Sequence, residues 1–240
     1  MNALEVLKNQ TTCREYSEKK ITDDTLLNII NVAKQSPSWK NGQAYHIIVT
    51  DGEVKNKICD LFNGKNGHIK TCSHFLIFLA DLSKAKTIVD YKKEQIAGFD
   101  IYDTLVATTD AAIVAQSVNI AAQAQGVQTC YIGLLRNVEN ELKEILNLPE
   151  YSYVVFGLTL GYPEESYKKR IKPRLDNSIN VSWNKYETKI TEEKVKEYDK
   201  KMDDFNAGKS YIWSDINLYS YIKSSPKQLK QFLIKQKLLK

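Results

Sequence analysis

AAIVAQSVNIAAQAQGVQTCYIGLL, residues 111–135, runs through the middle of the chain without one charged side chain. A run this long raises the question of a membrane span. Yet Gln116, Ser117, Asn119, Gln123, Gln125 and Gln128 interrupt it, and Gly126 breaks it. An uncharged helix dotted with amides reads as a core or subunit-interface helix. The spacing predicts a long helix from about Ile101 to Gln125, ended by Gly126, with a strand over Thr129 to Ile132.

Outward from this stretch, helices and strands alternate. Thr22 is suited to cap a helix whose first turn holds Asp23 and Asp24, favourable at the positive end of the dipole. Leu26, Ile29, Ile30 and Ala33 recur at helical spacing, and Ser36-Pro37 stops the pattern. Tyr45 to Val49 reads as a strand, Val54 to Phe62 as a helix, and HFLIFLA (His74 to Ala80) as a fully apolar strand. Beyond the run, Asn137 is expected to cap a helix with Val138, Leu142, Ile145 and Leu146 on one face, ended by Pro149. Tyr151 to Leu160 follows as a strand. After Gly161 the character changes. Residues 162–190 are charged and irregular. A charged helix is expected from about Glu192 to Phe205, then an aromatic segment, then a last helix from Pro226. Such alternation argues α/β or α+β layers.

The totals set bounds. At 240 residues the chain is one large domain or two small ones, and roughly 70–75% of its unfolded surface can be buried. Thirty-four basic against 29 acidic residues give +5. That favours anionic small molecules and is weak as a nucleic-acid signal. Cys13, Cys59, Cys72 and Cys130 form no CxxC pair and read as reduced, buried thiols of a cytoplasmic protein. Glu5 inside the N-terminal apolar run argues against a signal peptide. Neither GxGxxG after the first strand nor GxxxxGK[ST] is present, so neither standard phosphate loop is expected.

Four clusters look chemical. They are Gln10-Thr11-Thr12-Cys13-Arg14, the loop Ser36 to Tyr45 (SPSWKNGQAY), Tyr131 to Asn137 (YIGLLRN), and Lys168 to Arg174 (KKRIKPR). Each alone has a plainer reading: a connection between helices, a Pro and Asn-Gly turn, a strand-to-helix link, a solvated basic loop.

In order and spacing together, they resemble the FMN-dependent nitroreductase superfamily over essentially the whole chain. The similarity is greatest to the group of the major oxygen-insensitive nitroreductase and the flavin reductase P type. That family opens with a short helix and a loop that carries two arginines. Here the loop reads TTCR, with Arg14 kept and Thr11 in place of the first arginine. The central D-x4-A-Q-x4-A-x3-G matches Asp110, Ala115, Gln116, Ala121 or Ala122, and Gly126. Y-I-G-G-x-R-N is met by Tyr131 to Asn137, with Leu134 in place of the second glycine. F-G-L-x-L-G-x-P is met by Phe156 to Pro163, K-P-R-L by Lys172 to Leu175, and a late W-S-D by Trp213 to Asp215.

The resemblance implies an α+β fold with a mixed central sheet flanked by helices. It implies one domain over 1–240, with a core over 1–162 and a C-terminal extension over 163–240 that wraps a homodimer. It implies FMN as cofactor and NADH or NADPH as electron donor. Thr11, Thr12 and Arg174 would face the flavin phosphate, beside Gln10. Gly133, with Leu134, Tyr131 and Ile132, would lie near N5. Lys172 and Arg14 would support the pyrimidine edge, Asn66 the ring, and Ser38 and Gln43 would contribute from the polar loop. No protein acid or base is expected to be catalytic, because the flavin carries the hydride chemistry. His46, His68 and His74 share no metal-ligand spacing, and no metal is expected.

The function implied is an NAD(P)H oxidoreductase working by ping-pong hydride transfer on nitroaromatics, quinones or flavins, cytoplasmic, with no membrane and no nucleic-acid partner. Same-fold dehalogenation or flavin degradation is the alternative. A basic nucleic-acid-binding protein using Lys168 to Lys172 is a weaker one. With Lys209 alone charged near the W-S-D segment, little preference between NADH and NADPH is expected.

Overall fold

Asp100 starts the central helix. Its carboxylate accepts from the Ile101 N–H at 2.7 Å, and Asp103 reaches back to the Asp100 N–H at 3.0 Å. A reciprocal cap of this kind fixes the first turn. The helix then runs over Ile101–Ala124 and buries Ala107, Ala111, Val114, Ala115, Val118 and Ala122. Small residues along one side let it lie close to a sheet. By length and composition it is apolar enough to cross a membrane, but here it packs on the strands and on the helix Asp23–Ala33.

The amides in the uncharged run form a ladder to the strand that follows. Thr129 Oγ1 donates to Asn119 Oδ1 at 2.5 Å and Gln123 Nε2 donates to the same oxygen at 2.8 Å. Asn119 Nδ2 donates to Gln116 Oε1 at 3.2 Å, and the Tyr131 hydroxyl reaches that oxygen at 3.3 Å. Buried polar groups paired in this way cost little and fix register.

The computed structural model describes residues 2–96, 98–207, 212–223 and 227–240. In chain order the described elements are α1 (Ala3–Lys8), α2 (Asp23–Ala33), β1 (Tyr45–Thr50), α3 (Gly52–Asp60), α4 (His68–Thr71), β2 (His74–Asp81), α5 (Ser83–Tyr91), α6 (Ile101–Ala124), β3 (Gln128–Ile132), α7 (Glu139–Leu146), β4 (Ser152–Gly161), α8 (Asn177–Asn180), α9 (Glu192–Phe205), α10 (Trp213–Lys223) and α11 (Lys227–Lys235). The expected start of the last helix at Pro226, and Lys209, lie outside the described residues.

The sheet has the order β1-β2-β4-β3, and every described pairing is antiparallel rather than mixed. The connections between paired strands pass through helices, yet each returns the chain in the opposite direction. Alternation along β2 divides two cores. Leu76, Phe78 and Ala80 face the side of α2 and α6, while Phe75, Ile77 and Leu79 join Ile58, Ile69 and Leu142 on the other. All four cysteines are free and buried, and they lie in this second core. The α+β class expected from the sequence is the one observed.

Two compact units make up the chain: residues 1–169 with 227–240, and residues 170–226. In the first, the tail returns to the body. Phe232 and Leu238 enter the α6 core. Gln236 donates to the carbonyls of Ser152 at 2.7 Å and Pro149 at 2.9 Å. In the second, Tyr198 of α9 meets Trp213 of α10 edge to face at 5.0 Å, and Ser214 Oγ donates to Asp199 at 2.5 Å.

Asn137 does not cap α7. It closes a 3-10 turn over Gly133–Asn137, and Val138 occupies the cap position without a side-chain bond. The turn tightens because Leu135 is buried against the sheet at Gly157. A Cβ at Gly157 would lie 2.3 Å from the Phe75 ring and 2.9 Å from Leu135.

Candidate functional site

The opening loop is placed by Tyr16. Its ring packs on Gly161, where a Cβ would come within 2.6 Å of it. Its hydroxyl donates to the Cys13 carbonyl at 2.8 Å and lies 2.7 Å from Thr159 Oγ1. Burial pushes this phenol well above its ordinary range, so it stays neutral. The Cys13 N–H donates to the Thr129 carbonyl at 2.9 Å, which sets the loop beside β3. Thr11 Oγ1 pairs with the Tyr167 hydroxyl at 2.8 Å, and the same hydroxyl reaches the Thr12 carbonyl at 3.4 Å.

From this loop Arg14 reaches two other elements. Burial raises the Cys130 thiol, and the Arg14 charge acts against that rise. Burial, with the Arg14 charge beside it, holds His68 below the usual imidazole range. Arg14 is thus within electrostatic reach of Cys130 on β3 and of His68 at the start of α4. In loop 10–14 and in segment 66–68 polar atoms are left over. Gln10 Nε2, Asn66 Nδ2 and His68 Nε2 are buried without a hydrogen-bond partner. Each such atom costs about 1–3 kcal/mol if it stays unpaired. Three side-chain nitrogens with a guanidinium and two threonine hydroxyls form a set suited to an anionic, carbonyl-rich ligand.

The end of β3 supplies the next wall. Tyr131 is edge-on to Phe156 at 5.1 Å and Ile132 is buried. Gly133 follows, and a Cβ there would meet Arg136 Nη2 at 3.3 Å. Leu134 is 39% exposed, so the turn presents an apolar side chain beside the glycine. Behind it Arg136 Nη1 donates to the Val155 carbonyl at 2.7 Å. Glu139 lies deeper. Its Oε2 accepts from the Val154 N–H at 3.3 Å, its Oε1 has no partner, and burial pushes its pKa up to about 8.

The polar loop 38–44 lies on α6. Asp110 holds both of its ends, with Oδ1 accepting from the Trp39 N–H at 3.1 Å and Oδ2 from the Ala44 N–H at 3.2 Å. Ser38 Oγ accepts from the Gln43 N–H at 3.1 Å. Lys40, Asn41 and Gln43 take left-handed φ values of 50°, 55° and 48°, which non-glycine residues hold only where bonds compensate. A cavity of about 420 Å³ adjoins it, lined by Pro37, Trp39, Tyr102, Leu105 and Ile113 among others.

Of the residues singled out in the sequence, Gln10, Thr11, Thr12 and Arg14 share one loop beside β3, and Asn66 lies two residues before His68, on which the Arg14 charge acts. Tyr131, Ile132, Gly133 and Leu134 form the strand end. Ser38 and Gln43 are bonded to each other on α6. Lys172 and Arg174 belong to the second unit, where the Pro173 carbonyl between them accepts from Tyr198 at 2.8 Å. Sequence reasoning missed His68 and the Asp110 clamp. A lone histidine before a short helix carries no pattern. Asp110 was visible only as a motif letter.

This four-stranded sheet between helical layers, with a glycine turn and buried unpaired side-chain nitrogens, has known counterparts. The nitroreductase family model matches residues 7–162, and the model of its C-terminal domain matches residues 172–240. The chain belongs to the nitroreductase family. It is 30% identical to a Cr(VI) reductase of Pseudomonas sp. (strain G-1), over 97% of this chain and 92% of that one. It is 30% identical to an FMN reductase [NAD(P)H] of Bacillus subtilis, over 97% of each. The solved structure of B. megaterium NfrA2 superposes with a TM-score of 0.91 at 29% identity, covering 100% of this chain and 99% of that one.

Proposed function

We propose that this protein is an FMN-dependent NAD(P)H oxidoreductase that passes electrons from nicotinamide to nitroaromatic, quinone or flavin acceptors. The observation that carries the reading is the set of unpartnered buried nitrogens of Gln10, Asn66 and His68, with the Arg14 charge acting on His68. It fits a flavin, whose ring edge and phosphate are rich in acceptors. When bound, the flavin supplies two-electron hydride chemistry. The chain's own residues bind and orient it. Thr11 and Thr12 offer hydroxyls toward the phosphate, Arg14 and Lys172 favour negative charge on the ring edge, and Gly133 leaves the hydride-accepting face uncrowded. Arg174 is the proposed phosphate cation that offsets the missing loop arginine. No side chain is required as acid or base, since water supplies protons.

The active form is proposed to be a homodimer, located in the cytoplasm. The outward side of α6 exposes Ile101, Tyr102, Leu105 and Ile113. An apolar strip of this kind is suited to burial against a second copy.

The test is one spectrum. The purified protein is expected to be yellow, to bleach with NADH and with NADPH under nitrogen, and to recover on adding a quinone. A preparation that is colourless and takes up no FMN would sink the reading.

A further inference from the structure

Loop 63–68 carries two of the three unpartnered nitrogens, and the family pattern accounts only for Asn66. His68 is left over. Its Nε2 is buried without a partner although the residue as a whole is half-buried. It sits at the start of α4, but no side chain caps that helix, so the ring is not spent there. The Asn66 carbonyl is already satisfied. Asn66, at φ 59°, accepts through its carbonyl from the Ile69 N–H at 2.9 Å and from Cys59 Sγ at 3.6 Å. The unspent capacity is in the side chains, and the Arg14 charge acts on the imidazole. A chain that keeps two unpaired buried nitrogens two residues apart, next to a guanidinium, is organised to hydrogen-bond something there.

We infer that His68 is a cofactor-binding residue whose Nε2 hydrogen-bonds the polar edge of the flavin ring and not the phosphate. The inference rests on the FMN reading above. Arg14 is the charged group that faces the imidazole, and a second cation beside it is disfavoured. Neutral imidazole offers one donor and one acceptor. A phosphate dianion is answered better by cations and hydroxyls, the part proposed above for Thr11, Thr12 and Arg174. The ring edge, two carbonyl oxygens flanking one N–H, is matched by an uncharged group able to play either part.

Riboflavin has the ring without the phosphate, so it separates the two contacts. Wild type, His68→Phe and His68→Gln, each stripped of flavin, would be titrated with FMN and with riboflavin by flavin fluorescence. His68→Phe is expected to weaken both ligands by the same factor, roughly three- to tenfold, and His68→Gln to recover most of the loss. Unchanged affinity in His68→Phe overturns the inference. So does a loss confined to FMN, which would place the imidazole on the phosphate. Should the phenylalanine variant not fold, wild type labelled with nitrogen-15 at histidine gives the same answer. Riboflavin alone must move the His68 Nε2 resonance, and a resonance that stays in place overturns the inference. A wild type that binds neither flavin defeats the FMN reading itself. A wild type that binds both while the variants are indifferent defeats only the role of His68.

Discussion

Two polar regions of the chain are built in opposite ways. Loop 38–44 is strained and spent. Three residues hold left-handed φ, and Asp110 and Ser38 bond the loop's own N–H groups. The meeting of loops 10–14 and 63–68 is anchored at its backbone and unspent in its side chains. Tyr16, Thr129 and Tyr167 hold the first of these, while the nitrogens of Gln10, Asn66 and His68 go unpaired. The difference teaches which groups shape a loop and which are reserved for a ligand. Shape comes from polar groups already bonded within the chain. Recognition comes from those the fold leaves over.

Glu139 is the sharpest check on that rule, because it also has an unpartnered buried atom and is not among the cofactor residues proposed. Here a proton answers the deficit. Its folded pKa of about 8 stands above its ordinary 4.5. An acid raised in this way gives its full stabilising contribution below about pH 4.5, and loses it as pH rises through about 8. Wild type should therefore lose stability over that window by on the order of 3–5 kcal/mol. Glu139→Gln, neutral at every pH, should remove most of the slope. Urea unfolding of both chains from pH 5 to 9 measures it. Parallel pH dependences would show that Glu139 is already ionised in the folded state.

The Asp110 clamp comes next in size. Hydrogen bonds to a carboxylate contribute roughly 1.5–3 kcal/mol each. Asp110→Ala removes two and leaves the Trp39 and Ala44 N–H groups unpaired. A loss of about 3 kcal/mol, near 6–12 °C in Tm for a chain of this size, is expected, together with faster amide exchange over residues 38–44. Asp110→Asn should lose about half as much, since its amide keeps one acceptor. If exchange in the loop is unchanged while Tm falls, Asp110 supports α6 and not the loop.

Much of this was legible in the sequence. Ile101 to Gln125 read as one helix whose uncharged run is dotted with amides, and those of Gln116, Asn119 and Gln123 now form the ladder to β3. HFLIFLA read as a buried strand because no polar residue interrupts it. Other features had no local signal. Asn137 has the chemistry of a cap, but the pocket that Gly157 leaves for Leu135 pulls it into a 3-10 turn. The helix Trp213–Lys223 mixes apolar and polar residues on every side and shows no stripe. At the site, the loop residues of the family motif were readable one by one. That His68 joins Arg14 was not, because their approach depends on how β3 and α4 pack.

For the phosphate side, Arg174→Ala is expected to weaken FMN by roughly tenfold to a hundredfold, the range for one charge-assisted hydrogen bond. Its fold should persist, since Arg174 is exposed. Thr11→Arg should restore a loop cation and tighten FMN by up to about tenfold, or leave it unchanged. Gel filtration with flavin absorbance reports both variants. An Arg174→Ala chain that keeps its flavin at wild-type affinity removes Arg174 from the site.

The smallest effect separates an anchor from a ligand. The Tyr167 hydroxyl bonds Thr11 Oγ1 at 2.8 Å and the Thr12 carbonyl at 3.4 Å, so its capacity is spent within the chain. By the contrast between the two kinds of polar group, it shapes the loop and does not touch the cofactor. Tyr167→Phe deletes only that hydroxyl and keeps the ring, which packs on the second core. A neutral, partly buried hydrogen bond contributes about 0.5–1.5 kcal/mol. Stability should fall by that amount, while FMN and riboflavin affinities each change by less than about threefold. The ratio of the two affinities is the informative quantity. Were FMN to weaken tenfold or more with riboflavin unmoved and the fold no less stable, the Tyr167 hydroxyl would have to be released from Thr11 to meet the phosphate. Loop 10–14 would then be shaped by its ligand and not before it.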